Sequence, residues 1–107
     1  MKKTLQITLG TLMLLAFSAT TLNADIAKGQ RLYMKKLKGA CGFNGAIMAT
    51  KHSMAEWKTL YETKKLAGEI KKFCPKVKES SLKGKFMPHY YDFFHEYAND
   101  SGNIPSC

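Results

Sequence analysis

The stretch Lys38–Trp57, KGACGFNGAIMATKHSMAEW, constrains the fold most: it sets a cysteine among three glycines, Gly39, Gly42 and Gly45, then an apolar patch, then a histidine just ahead of a helix start. Glycines at this density permit positive φ or close backbone approach, so the chain here either doubles back or wraps tightly around a neighbour. The helix start is Ser53-Met-Ala-Glu56, a capping box in which the serine hydroxyl takes the Glu56 N–H and the glutamate reaches back to the serine N–H. Trp57, Leu60, Tyr61 and Lys64 follow at helical spacing, with the lysine stem covering the end of the apolar stripe.

The rest of the chain reads as helices joined by loops. Asp25 is placed to cap a first helix running to about Lys38, with Ile26, Tyr33 and Leu37 on one face and Gly39 as its stop. Gly29 lies inside that helix. Such a glycine costs about 1 kcal/mol relative to alanine, which suits a place where another helix crosses at close range. A helix from about Leu66 carries Ile70 and Phe73 and ends at Cys74 ahead of Pro75, with Gly68 as a candidate kink or break. Residues 76–87, KVKESSLKGKFM, read as a long lysine-rich loop. Pro88 opens a last helix with Tyr90, Phe94 and Tyr97 on one face and Phe93 beside it. No segment reads as a strand, and the expected fold is all-α with three to five helices, the first and last in contact through Gly29 and one of Tyr90, Phe93, Phe94 or Tyr97.

Residues 1–24 have the form of a secretory signal peptide. Lys2 and Lys3 supply the positive start, Leu5 to Ala19 is uncharged and apolar, and cleavage is expected near Asp25. The apolar run falls short of the roughly 20 residues of a spanning helix, so no membrane span is expected after cleavage. The mature chain, residues 25–107, then makes one small domain of 83 residues. A domain of this size commonly needs a disulfide, metal or cofactor in addition to its core.

Three cysteines, Cys41, Cys74 and Cys107, lie in that mature segment. In an oxidising compartment two pair and one remains, and spacing alone fixes no connectivity. A Cys74–Cys107 bridge is favoured here because Cys107 would anchor an otherwise unheld tail, with pairings to Cys41 as alternatives. Without Lys2 and Lys3 the chain has 15 Lys+Arg against 8 Asp+Glu. In a secreted protein this points to acidic protein surfaces or anionic membranes in preference to nucleic acid. A merely solvated lysine surface is the plainer alternative.

The order of these features resembles the class I c-type cytochromes. The residues that carry the likeness are Gly29-x-x-Leu32-Tyr33 in the first helix, the glycine-flanked Cys41, an aromatic middle helix, Met87-Pro88, and a last helix rich in aromatics with Tyr97. The resemblance spans nearly all of residues 25–98. It implies a periplasmic electron carrier with crossing first and last helices, a haem held near Cys41, and His52 or Met87 as an axial ligand. The chain departs from the family in lacking Cys-x-x-Cys-His: with Cys41 as first cysteine, Asn44 and Gly45 fill the other seats, and with Cys41 as second, Lys38 and Gly42 do. The expectation is therefore a chain without conventional haem c, whose core is closed by Phe43, Ile47, Met48, Trp57 and Met87.

Two alternatives stand beside the electron carrier. One is a haem-free, disulfide-stapled protein that docks an acidic periplasmic redox or binding partner through its lysines, as a monomer. The other is a periplasmic copper carrier using His52-x-Met54 and Met87-x-His89, together with Met34 and Met48, as soft ligands. Nothing in the sequence supports an enzyme: Cys41 has no identifiable base, no serine sits in a nucleophile turn, and no carboxylate pair has telling spacing.

Overall fold

A computed structural model describes residues 25–105, and over that range every regular element is helical. The expected signal segment 1–24 and Cys107 lie outside the described residues. Residues 25–41 form α1, followed by α2 (Gly45–Ala49), α3 (Met54–Glu62) and α4 (Leu66–Phe73). Two 3₁₀ turns, Glu79–Leu82 and Gly84–Phe86, lead into α5 (Met87–Glu96). None of the described helices is long and apolar enough to cross a membrane.

The aromatic helix α5 is the centre of the packing, in contact with α2, α3 and α4. Tyr90, Phe93 and Phe94 are fully buried on it, together with Trp57 of α3, Tyr33 and Leu37 of α1, and Met48 of α2. The crossing expected at Gly29 is present: a Cβ there would overlap the carbonyl oxygen of His89 and stand 2.9 Å from Phe93 Cβ. Backbone lies against backbone, so only glycine fits. Gly45 serves the same end from α2, since a Cβ on it would run into the Phe93 ring.

Helix α1 runs past its expected end. Its Tyr33–Leu37 segment is wound as a π-helix, the Lys38 N–H bonding back to the Tyr33 carbonyl, and its last turn is Lys38–Cys41. The stop is Gly42, left-handed at φ 80°, and not Gly39, which has open space around it. The short α2 was not expected within the glycine-rich loop. It begins because the Asn44 side chain accepts the Ile47 N–H. Its inward face carries Met48 and Ala49, which turns Ile47 outward to 46% exposure, against the expectation that it fills the core. Phe43 and Met87 are half-buried.

The capping box forms as read from the sequence, with Ser53 Oγ accepting from the Glu56 N–H and Glu56 accepting from the Ser53 N–H. The break between α3 and α4 is at Lys64, with φ 60°, while Gly68 lies inside α4 and is exposed. The lysine-rich loop is tied down by Tyr90, whose buried hydroxyl donates to the Ser81 carbonyl at 2.9 Å. Past α5, the Asn103 side chain donates to the Glu96 carbonyl and Pro105 is buried.

Candidate functional site

The disulfide joins Cys41 to Cys74, with Cα atoms 4.5 Å apart, which corrects the favoured Cys74–Cys107 pairing. The reason lies in α1. Because it continues to Cys41 before Gly42 stops it, its last turn reaches the end of α4, where Cys74 is fully buried.

The bridge also removes Cys41 as a thioether site. His52, the second expected ligand, is held between carboxylates: Nε2 is 2.5 Å from Glu69 Oε2 and Nδ1 is 3.7 Å from Glu56 Oε1. Its ring packs edge-on to Trp57, with centroids 4.8 Å apart, and against Phe73. Glu56 itself is kept below the ordinary carboxylate range first by the Ser53 backbone N–H, then by the Ser53 side chain and the nearby His52. Trp57 Nε1 donates to the Ala49 carbonyl at 2.9 Å, and its ring lies 4.7 Å from that of Phe94.

Met87 is elsewhere. It lines a cleft between the end of α3, the start of α4 and the start of α5, whereas His52 borders a separate recess with Ala55, Glu56, Thr59 and Leu60. Cys41, His52 and Met87 therefore do not form one ligand set, and they do not fit a haem c. Of the copper residues, His52 and Met87 border different recesses, and Met34 is 54% exposed while Met48 is fully buried. No cluster of three or more His, Cys, Asp or Glu able to hold a metal occurs among the described residues.

What the disulfide does assemble is a basic groove of about 500 Å³. One wall is α1, with Lys35, Lys36 and Ala40, and the other is the loop after Cys74, with Lys76, Lys78, Ser80 and Ser81. No carboxylate lines it, and none of its four lysines forms an ion pair among the described residues. Glu79, the one acid in this loop, is drawn away into a pair with Lys71. Lys36 is steadied from outside the groove by the Phe86 ring, 4.8 Å from its Nζ to the centroid. In sequence Lys35-Lys36 and Lys76-x-Lys78 lie far apart, and the cysteine pairing and the shared core bring them together. Compared with known protein families, curated proteins and solved structures, the chain has no match.

Proposed function

We propose that this protein is a haem-free, disulfide-stapled binding module of cytochrome c-like ancestry, whose lysine groove docks an acidic partner protein in the periplasm. The observation that carries this reading is the groove itself: Lys35, Lys36, Lys76 and Lys78 converge on one concavity lined by no carboxylate. Like charges brought together repel, so such a cluster is least costly when an anionic surface completes it. The crossing of α1 and α5 at Gly29 supports the ancestry. The engagement of Cys41 with Cys74 and of His52 with Glu69 supports a role that does not run through haem.

A hexaglutamate peptide, titrated by calorimetry at two salt concentrations, tests the reading. The double variant Lys35→Glu/Lys78→Glu is compared with Lys28→Glu/Lys58→Glu, which makes the same change of net charge outside the groove. The groove variant is expected to lose about tenfold or more in affinity, and the control to change little. Equal losses in the two variants would mean that affinity follows net charge, and the groove would have no part in it.

A further inference from the structure

Lys64 occupies the position after α3 where glycine commonly ends a helix. Its φ is 60°, and around it the Lys65 N–H reaches the Leu60 carbonyl at 2.8 Å while the Lys64 N–H reaches that of Tyr61 at 3.1 Å. A side chain in this left-handed conformation costs about 1–2 kcal/mol. No ion pair within the described residues offsets that cost. Strain of this kind at a cleft is a pointer to function.

The cleft beside Lys64 has a volume of about 580 Å³, within the roughly 300–1,000 Å³ of small-molecule sites. Leu66, Leu82, Met87 and Pro88 make it apolar, and Lys64 and Glu62 border it. Glu62, like Lys64, has no ion-pair partner among the described residues. Tyr61 lines the cleft too, its ring stacked on Tyr91 with centroids 4.5 Å apart and planes 5° from parallel. The site therefore offers an apolar trough, one unpaired cation, one unpaired anion and an aromatic ring.

We propose that this cleft binds a short apolar peptide with free termini: its carboxylate against Lys64, its ammonium against Glu62 and the Tyr61 ring, and its side chains on Leu66, Leu82, Met87 and Pro88. Both rim charges select this class. A fatty acid answers only Lys64 and leaves Glu62 facing an apolar chain, while an apolar amine answers only Glu62. A neutral hydrophobic ligand answers neither charge.

The test uses the protein carrying ¹³C-methyl methionine and the dipeptide Leu-Phe, followed by NMR. The Met87 methyl is expected to shift saturably while that of the exposed Met34 stays in place. N-acetylation and C-terminal amidation of the dipeptide should each weaken binding about fivefold, the upper range for an exposed ion pair. Lys64→Gly removes the charge and the backbone strain together, so it keeps the fold; it should cost as much as the amide cap and make the amidated peptide no worse. Glu62→Gln should relate to the acetyl cap in the same way. The proposal is overturned if Met87 shows no saturable shift, if capped peptides bind as well as the free dipeptide, or if octanoate binds as tightly.

Discussion

The two ends of α3 are built on opposite terms. At its N-terminus almost every polar group has a partner: Ser53 and Glu56 cap each other, the Met54 N–H donates to Asp100 Oδ1 at 2.9 Å, His52 lies between Glu69 and Glu56, and Trp57 donates to Ala49. At its C-terminus, one helix length away, a lysine sits in a strained conformation beside an apolar cleft, with Glu62 and Lys64 both unpaired among the described residues. The histidine that looks most like a ligand in the sequence is paired with Glu69 and packed edge-on to Trp57. The open chemistry lies at the other end of the helix, where Tyr61, Glu62 and Lys64 form no motif that the sequence announces.

The contrast is broken most sharply by cavity-making substitutions at the two ends. Trp57→Ala should destabilise the domain by about 3–5 kcal/mol, because the indole is fully buried and its N–H is bonded. Met87→Ala should cost less than half as much, since Met87 is only half-buried and already borders open volume. Urea unfolding of both variants measures the difference. Equal losses would show that Met87 belongs to the core and that the cleft wall is not free to serve a ligand.

What could be read from the sequence was what is decided locally or by strict exclusion. The Ser53–Glu56 box needs only its own four residues, and Gly29 in a helix interior has few uses besides a close crossing. The misreadings of helix boundaries concern competition between equivalent signals. Gly39 and Gly42 could each stop α1, and the stop at Gly42 lets the last turn reach Cys74. Gly68 resembled the break between α3 and α4, yet the break fell on Lys64, a residue type that carries no signal for a left-handed turn. Glu69 as the partner of His52, and the lysine groove across the disulfide, are products of tertiary packing that no spacing announces.

A smaller effect, of opposite sign, sharpens the contrast at the open end. Lys64→Gly should stabilise the domain by about 0.5–1 kcal/mol, the relief of left-handed strain being partly cancelled by the freedom glycine adds to the unfolded chain. In thermal unfolding this is a rise in Tm of a few degrees. The same substitution at a position without strain would destabilise, so a fall in Tm would show that the Lys64 side chain makes a stabilising contact and is not held for a ligand.

The smallest effect is a local one at the closed end, and it is set by pH. Glu56 has its pKa lowered in the folded protein, chiefly by accepting the Ser53 backbone N–H. A carboxylate whose folded pKa lies below its unfolded value binds protons more readily in the unfolded chain, so its contribution is fully present above the unfolded pKa and disappears as pH falls through the folded one. The ordinary value is 4.5, so the loss begins near that pH and completes below it. Because Glu56 is exposed, the change should be confined to the cap and leave global unfolding little altered. Hydrogen exchange is the measurement: protection of the Ser53 amide should fall on acidification, once corrected for the intrinsic pH dependence of exchange, while the Lys65 amide, bonded to the Leu60 carbonyl at the other end of α3, keeps its protection. Glu56→Gln keeps the helix start but cannot titrate, so it should flatten the Ser53 response. If both amides lose protection together, the two ends of α3 open as one unit, and the division between a closed end and an open one does not describe the helix in solution.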